Sequence, residues 1–299
     1  MKIGVDGGGT KTELILIGTD GHVVARHTAP GCNPSVIGPE NARDTLIAAL
    51  NTLLSSPRAD SKTESPKHKI SATLLCMAGS PAFWQEIAAS LSGFGKIETT
   101  TDALPVLELA TNGKPGLVLH AGTGSFVALR APDETIHYAG GFGWRIGDPG
   151  SAQDIGRRAL ARALAELQGW SPTSGLGAAL RETFATDKPG AITATLHRDP
   201  EPNQRIGAFA ARTSQLAASG DTGARDIVLA STGELLACAE ASAKTLFKSQ
   251  SLTGLSAGLS GPILTQPFVV AALQARTTLP LKPLTEPPIE GVRQLLRKR

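Results

Sequence analysis

Short apolar runs and helical patterns alternate along the first third of the chain. Branched apolar residues predict three antiparallel strands over residues 2–6, 12–18 and 22–27. Leucines and isoleucines at helical spacing then predict a helix over residues 39–54. The pattern continues with predicted strands over 70–76 and 96–101, and helices over 82–91 and from residue 104. The predicted order is therefore βββαβαβα.

The same pattern starts again after Pro115. Strands are predicted over residues 116–120, 126–130 and 135–139, and a late strand over 252–259. The stretch 151–249 is mostly helical, with predicted breaks at 171–177 and 188–204. Two further helices are predicted over 265–276 and 289–297, and the polar segment 55–69 is predicted to be a surface connection.

Two βββαβα-like halves predict an α/β protein of two lobes with a cleft between them. The first domain is predicted over residues 1–113, joined by the C-terminal helix 287–299. The second is predicted over 114–286, with a helical insertion at about 151–249.

Composition and charge exclude several classes of protein. The chain is 41% apolar and 18% charged, which is typical of a globular protein. Its formal charge is +3, and the only dense basic run, residues 297–299, reads as a frayed tail, so nucleic-acid binding is disfavoured. No apolar run approaches the ~20 residues of a membrane span. Three scattered cysteines, Cys32, Cys76 and Cys238, lack zinc-site spacing and favour a reducing cytoplasm.

The segment 6–12, Asp-Gly-Gly-Gly-Thr-Lys-Thr, carries the strongest local signal. It leads into a strand, whereas the P-loop of nucleotide-binding proteins leads into a helix. Clustered N–H donors and the Thr10 and Thr12 hydroxyls could hold phosphoryl oxygens, while Asp6 could orient a hydrated Mg²⁺. The alternative is a flexible hairpin tip with an ordinary surface lysine at Lys11.

A second glycine turn, residues 122–125, occupies the equivalent place in the second half. Two such turns on facing lobes could hold a polyphosphate from both sides. The small-residue segment 255–261 could let a flat base or ribose approach the backbone, or it could serve tight strand-to-helix packing.

Three polar residues have both a functional and a structural interpretation. Asp102 ends a predicted strand, where open α/β sheets place ligand groups, and it could be a base or the N-cap of the next helix. Asp148 and Asn33 could accept or donate to sugar hydroxyls, or could be turn residues. In the glycine-rich loop 140–144, Phe142 and Trp144 could line a sugar pocket or close the core.

Six segments in this order together resemble one family: residues 6–12, 101–103, 121–125, 140–144, 147–151 and 259–261. The chain resembles the BadF/BadG/BcrA/BcrD-type ATPases, and within them the N-acetylglucosamine and glucosamine kinases of the actin and hexokinase superfamily. The resemblance covers nearly the whole chain. It implies two ribonuclease-H-like, actin-like ATPase lobes that close on ATP, with Mg²⁺, and on a small-molecule sugar.

The resemblance also implies a role for each residue. Asp102 would be the general base that takes the proton of the sugar 6-hydroxyl, and Asp6 would orient Mg²⁺. The implied ATP and phosphate contacts are Gly7, Gly8, Gly9, Thr10, Lys11, Thr12, Thr123, Gly124, Ser125, Gly258, Ser260 and Gly261. The implied sugar contacts are Asn33, Asp102, Thr123, Gly124, Phe142 and Asp148.

Two positions depart from the family pattern. Phe142 stands where amino-sugar kinases usually carry tryptophan, and Pro149 replaces the glutamate of a Gly-Asp-Glu-Gly-Ser motif. The choice between N-acetylglucosamine, glucosamine and another hexose derivative is therefore open.

Two other classes compete with a cytoplasmic kinase. The same family contains ATP-driven activators of 2-hydroxyacyl-CoA dehydratases and benzoyl-CoA reductases, which hold an iron–sulfur cluster between two subunits and need suitably placed thiolates. A non-catalytic sugar or nucleotide sensor is the other alternative. A homodimer is a reasonable expectation.

Overall fold

The computed structural model describes residues 1–55, 69–248 and 251–299, and the chain forms two compact units. The first comprises Met1–Gly113 and Thr285–Arg299, and the second comprises Lys114–Leu284. The surface connection predicted over 55–69 falls almost entirely outside the described residues, as does position 249 at the end of the predicted helical stretch.

The first unit contains one five-stranded sheet. Its strands are β1 (Lys2–Gly7), β2 (Lys11–Ile17), β3 (Val23–Pro30), β4 (Ala72–Met77) and β5 (Lys96–Thr101). Its helices are α1 (Pro34–Ile37), α2 (Pro39–Ser55), α3 (Pro81–Ser90), α4 (Ala103–Thr111) and α11 (Pro288–Arg297). The strand order is β3-β2-β1-β4-β5; β1 is antiparallel to β2 and parallel to β4.

The second unit contains a second five-stranded sheet. Its strands are β6 (Gly116–Ala121), β7 (Ser125–Arg130), β8 (Ile136–Gly140), β9 (Ser256–Ser260) and β10 (Leu281–Pro283). Its helices are α5 (Ala152–Leu167), α6 (Gly175–Phe184), α7 (Pro189–Arg198), α8 (Pro202–Ala218), α9 (Thr222–Phe247) and α10 (Pro267–Gln274). The strand order is β8-β7-β6-β9-β10.

Both sheets therefore have the same topology. Counted within each unit, the spatial order is third, second, first, fourth and fifth strand. The first three strands form an antiparallel meander, and the last two add in parallel. This confirms the predicted ribonuclease-H-like arrangement, and the helices α5 to α9 confirm a helical insertion between the third and fourth strands of the second unit. None of the helices in the described parts of the chain is long and apolar enough to cross a membrane.

In the second unit one sequence-based prediction is wrong and one strand was missed. The proline-rich stretch 188–204 was expected to break the helices, but α7 occupies most of it. Pro189 stands at the start of that helix, where a missing N–H costs nothing. The strand β10 was missed because three residues that include Pro283 carry no alternating pattern.

The C-terminal helix α11 completes the core of the first unit. Its apolar face packs on the sheet through Ile289, Val292, Leu295 and Leu296, all buried. At Gly291 a Cβ would lie 2.1 Å from the Pro105 carbonyl oxygen of α4, so only glycine permits this close approach.

The basic end of the chain is not a frayed tail. Lys298 pairs with Glu108, whose side chain is only 2% exposed, and its Nζ also lies 3.3 Å from the Asn112 side-chain oxygen. Arg299 pairs with Glu98 on β5. The charge run is thus used to neutralise carboxylates of the first unit, which the sequence pattern alone does not reveal.

Replacing Lys298 by Met should lower the free energy of unfolding by about 1–3 kcal/mol, because the buried Glu108 carboxylate loses its cation. The matched control is Arg299→Met, which removes a pair that is more than a third exposed on both sides and should cost under about 1 kcal/mol. Urea unfolding of both variants provides the comparison. Equal stability of the two variants would contradict the assignment of Lys298 as the structural partner.

Candidate functional site

In the first unit, three strands end at one edge of the sheet. The register pairs Gly7 of β1 with Met77 of β4, and Met77 with Thr101 of β5. Parallel strands share the direction of their carboxyl ends, so the residues that follow them lie along one edge. This pairing brings Asp6 and the first glycine turn, residues 7–10, to the same sheet edge as Asp102.

The first glycine turn is a compact hairpin. The Gly8 N–H donates to the Lys11 carbonyl at 3.0 Å, and the Gly31 N–H donates to the Thr10 carbonyl at 3.1 Å. A Cβ at Gly31 would lie 2.2 Å from the Gly9 carbonyl oxygen, whereas a Cβ at Gly9 would meet nothing nearer than Val36, at 3.9 Å. The turn is thus supported by the 31–32 loop from one direction and has open space beside Gly9.

Two predicted phosphate contacts are engaged within this hairpin. The Gly8 N–H is already used by Lys11. The Thr12 side chain is fully buried, and its hydroxyl proton is taken by the Pro30 carbonyl at 2.9 Å, with Cys32 Sγ at 3.1 Å. Because a hydroxyl has one proton, Thr12 stabilises the hairpin and has no proton for a phosphate oxygen. Its candidate role as a phosphate donor is therefore corrected.

Asp6 lies in an acidic environment. It is directly opposite Glu13 across β1 and β2, and Glu13 Oε2 pairs with Lys11 Nζ at 2.7 Å. Burial raises the pKa of Asp6 most, the charges of Asp102 and Glu13 raise it further, and Lys11 lowers it; the result is about 7. Like charges placed directly opposite destabilise a sheet, so this arrangement is suited to holding a cation.

These residues fit Mg²⁺ bound mainly through water and phosphate. The described ranges 1–55, 69–248 and 251–299 contain no group of three or more His, Cys, Asp or Glu side chains that could hold a metal. Mg²⁺ in phosphoryl-transfer sites is commonly held by only one or two carboxylates, with waters and phosphate oxygens completing its shell. Asp6 therefore has the donor chemistry for this ion. The sequence interpretation missed its neighbour Glu13, which the period-two alternation after Lys11 could have indicated.

Asp102 occupies the N-cap position of α4, but its side chain makes no capping hydrogen bond. Burial raises the pKa of Asp102 to about 6, and nearby backbone N–H groups of Asp102 and Ala103 offset part of that effect. Asp102 therefore has the position of an N-cap without the hydrogen bond that capping requires. It stands where a cap would stand, and its carboxylate has a pKa near that useful for proton transfer.

Asn33 lies near the same sheet edge. It caps the short helix α1, and its side-chain oxygen accepts from the Ser35 N–H at 2.9 Å. A Cβ at Gly79, just beyond β4, would lie 3.0 Å from that oxygen. Asn33 is thus a turn residue in the structure and is also close to the strand that separates Asp6 from Asp102.

In the second unit, Asp148 brings three predicted motifs together. The residue is 5% exposed, and its Oδ1 accepts from the Gly143 N–H at 3.0 Å. Burial raises the pKa of Asp148, while backbone N–H groups of Gly143, Ser125 and Phe142 lower it in part. The carboxylate therefore binds the aromatic loop, residues 140–144, and the start of β7 at once.

The second glycine turn, residues 122–125, is tied to the loop that carries Asp148. A Cβ at Gly124 would lie 3.0 Å from Asp148 Oδ2. The Ser125 hydroxyl donates to the Pro149 carbonyl at 2.7 Å, and the Ala152 N–H donates to the Gly122 carbonyl at 2.9 Å. Thr123 lies at the tip of this turn, so it is within the same cluster.

The third small-residue segment borders the second glycine turn. A Cβ at Gly261 would lie 2.2 Å from the Ala121 carbonyl oxygen, and Ser260 Oγ lies 3.1 Å from His120 Nδ1. His120 also stacks on Phe126, and burial lowers its pKa to about 4, so it is a neutral packing residue. Gly258 lies within β9, beside Val118 of β6. Gly261 therefore permits a close approach to strand β6, whereas the sequence suggested packing of a strand against a helix.

The aromatic loop does not close the core. Phe142 is 66% exposed and Trp144 is 45% exposed, with the Arg145 guanidinium 5.1 Å from the Trp144 ring. Gly140, Gly141 and Gly143 all have positive φ, which explains why glycine recurs here. The exposed rings are thus available to a ligand, and the core-closing alternative is wrong.

Comparison with known proteins identifies the family. The model of the BadF/BadG/BcrA/BcrD ATPase family matches residues 3–266. This chain belongs to that family. The match begins in β1 and ends after β9, so it includes both glycine turns, Asp102 and Asp148.

Two curated relatives illustrate the similarity of this family member to described proteins. An N-acetyl-D-glucosamine kinase of Dictyostelium discoideum is 25% identical over 195 residues, covering 62% of this chain and 61% of the relative. An N-acetylmuramic acid/N-acetylglucosamine kinase of Clostridium acetobutylicum is 30% identical over 167 residues, covering 54% and 53%. The chain thus spans between about half and three fifths of these curated relatives.

A solved structure matches along nearly the full length. It comes from Chromobacterium violaceum and is described as a candidate N-acetylglucosamine kinase. The identity is 26%, the TM-score is 0.75, and the match covers 99% of this chain and 98% of that one. The two-sheet, actin-like ATPase architecture of the BadF-type chain is therefore shared over the whole described fold.

Proposed function

We propose that this protein is an ATP-dependent amino-sugar kinase that phosphorylates the 6-hydroxyl of N-acetylglucosamine or glucosamine. The observation that carries the proposal is the Asp102 carboxylate, which makes no capping bond, has a pKa raised to about 6, and shares a sheet edge with the first glycine turn. Family membership and the names of the relatives support the same activity.

Asp102 would accept the proton of the sugar 6-hydroxyl. The oxygen then attacks the γ-phosphorus, the bond to the bridging oxygen breaks, and ADP leaves. A partly desolvated carboxylate is a better proton acceptor than an ordinary surface aspartate because its pKa lies closer to the working pH.

The other residues of the first unit would position the nucleotide. Gly9 offers the open space that a phosphate needs, and Lys11 supplies a positive charge at the exposed end of the hairpin. Asn33 would offer its side-chain NH₂ to a sugar hydroxyl, since its oxygen is already used. Bound near Asp6, Mg²⁺ would neutralise phosphate charge during the transfer.

The second unit would contribute a rigid set of loops. Thr123 and Gly124 lie on the second glycine turn, Asp148 holds that turn to the aromatic loop, and Phe142 presents an exposed ring. A carboxylate has about four lone-pair positions, so Asp148 can accept a sugar hydroxyl in addition to its backbone donors. Ser260 and Gly261 would border the adenosine.

Pro149 bears on the choice of sugar. Its carbonyl accepts from Ser125, so the residue keeps a structural role although it lacks the carboxylate of the related motif. The sugar must therefore be identified by experiment. The sugars to compare are hexoses that differ only at carbon 2.

The cysteines argue against an iron–sulfur activator. Cys32 and Cys76 are fully buried, and burial raises the pKa of both thiols. A cluster shared by two subunits requires accessible thiolates. Cys238 is only partly buried but lies in α9, far along the chain from the other two. We therefore place the activator below the kinase, and sugar-dependent release of ADP distinguishes the kinase from a non-catalytic sensor.

ADP release should depend on sugar. The test is a coupled assay with N-acetylglucosamine, glucosamine, N-acetylmannosamine, glucose and no sugar, each with Mg²⁺ and ATP. We expect one of the first two to be the best substrate. Hydrolysis that is independent of sugar, or no turnover with any sugar, would contradict the kinase proposal.

Replacing Asp102 by Asn should lower kcat by about 10²-fold or more, because the amide cannot take the hydroxyl proton. Nucleotide affinity, measured by calorimetry, should stay within about twofold. Glu98→Gln on the preceding strand is the control, since that side chain pairs with Arg299 outside the proposed site. An Asp102→Asn variant with near wild-type turnover would remove Asp102 from the mechanism.

The rate should fall in acid as Asp102 becomes protonated. A base acts only in its deprotonated form. With saturating ATP and Mg²⁺, a bound cation would keep Asp6 ionised, so kcat/KM for sugar should be constant above about pH 7 and fall tenfold per pH unit below about 6 as Asp102 is protonated. The pH profile of the wild-type protein, with folding followed by fluorescence, measures this. A flat profile between pH 7.5 and 5 would contradict the raised pKa of the base.

A further inference from the structure

Behind the loop that carries Asp148 lies a buried polar chain from the helical insertion. Ser231, in the middle of α9, and Asp154, in the first turn of α5, are 0% and 7% exposed. The Gly150 N–H donates to Ser231 Oγ at 2.7 Å, and the Ser231 hydroxyl donates to Asp154 Oδ2 at 2.6 Å. The loop backbone is thus linked to two helices through one hydroxyl.

The direction of these hydrogen bonds follows from the single proton of the Ser231 hydroxyl. A hydroxyl has one proton, and here it goes to a carboxylate, so the oxygen's lone pairs are left for the Gly150 N–H. A serine inside a helix commonly bonds the carbonyl four residues earlier, as Thr232 does with Val228 at 2.8 Å. Ser231 instead points its proton across to another helix.

Asp154 is itself firmly held. Its oxygens pair with Arg157 and Arg158 at 2.7 Å each, and Arg158 continues to Glu234 on α9 with distances of 2.9 and 2.6 Å. The negative charge on Asp154 polarises the Ser231 hydroxyl. The Ser231 oxygen is therefore a stronger hydrogen-bond acceptor for the Gly150 N–H. Two contacts one turn apart on α9 therefore join α9 to α5 beneath the loop.

Gly150 fits only as glycine. Its φ is +86°, and a Cβ would lie 3.1 Å from Leu235 on α9. The Ser151 N–H donates back to the Asp148 carbonyl at 3.0 Å, so a displacement of Gly150 moves the residues on both sides. The position of Asp148 is therefore coupled to the surface of α9.

We propose that Ser231 is a positioning residue: through Gly150 it fixes the loop that presents Asp148 to the sugar. The inference rests on the proposed function for the role of Asp148 as a sugar contact. It assigns the helical insertion a part in sugar binding that its distance along the sequence hides.

The test compares Ser231→Ala with Thr232→Val. Both variants remove one hydroxyl from a fully buried position on the same helix, but only the first hydroxyl contacts the loop. Amide hydrogen exchange of the full chain measures loop order without any substrate. Steady-state kinetics with the best sugar measure KM for sugar and for ATP separately.

We expect Ser231→Ala to lower protection of the Gly150 and Ser151 amides about tenfold and to raise the sugar KM about tenfold, which corresponds to one hydrogen bond of about 1.4 kcal/mol. The ATP KM should change less than about twofold, and Thr232→Val should change neither quantity.

Three results would overturn the inference. They are unchanged exchange of the Gly150 and Ser151 amides in Ser231→Ala, a loss of protection that extends equally over α5 and α9, or parallel increases in both KM values. If the wild type releases no ADP with any sugar, the proposed function fails, and exchange alone then decides whether Ser231 fixes the loop.

Discussion

The parallel, in-register pairing of β1, β4 and β5 is the constraint on which the candidate chemistry of the first unit depends. It aligns Gly7, Met77 and Thr101, so that whatever follows each strand must share one edge. Removing two charged carboxylates from water at this edge is unfavourable. The raised pKa values, about 7 for Asp6 and about 6 for Asp102, reflect that cost. Carboxylates with such raised pKa values are typical of sites where they bind a cation or accept a proton.

In the second unit the candidate residues lie on irregular loops, which buried side chains hold through hydrogen bonds to the backbone. Asp148 satisfies backbone N–H groups of the aromatic loop from the front, while Ser231 satisfies the Gly150 N–H from behind. Both acceptors are buried, so water does not compete for these donors. The loop that carries Asp148 is therefore held at two buried points, and one of them is a hydroxyl of α9, which is distant in sequence.

Much of this arrangement was predictable from local pattern. Two runs of three strands followed by helices indicated the duplicated topology, and the glycine motifs marked the turns correctly. The errors have physical causes. Pro189 suggested a break because proline lacks an N–H, yet at the first turn of α7 none is needed. The sequence suggested Thr12 as a phosphate donor, but its side chain is buried and its hydroxyl donates to the Pro30 carbonyl. Lys298 pairs with Glu108 across 190 residues, and no local pattern reports such a contact.

Some glycines are required by the packing of the backbone, and others are not. Gly31, Gly261 and Gly291 are required because a Cβ would lie within 2.2 Å of a backbone oxygen. Gly9 has no such contact, and its φ is not among the positive values. Neither backbone conformation nor packing therefore explains glycine at position 9. Under the proposed kinase function, a phosphate that approaches the turn closely would occupy the space that the missing side chain leaves open.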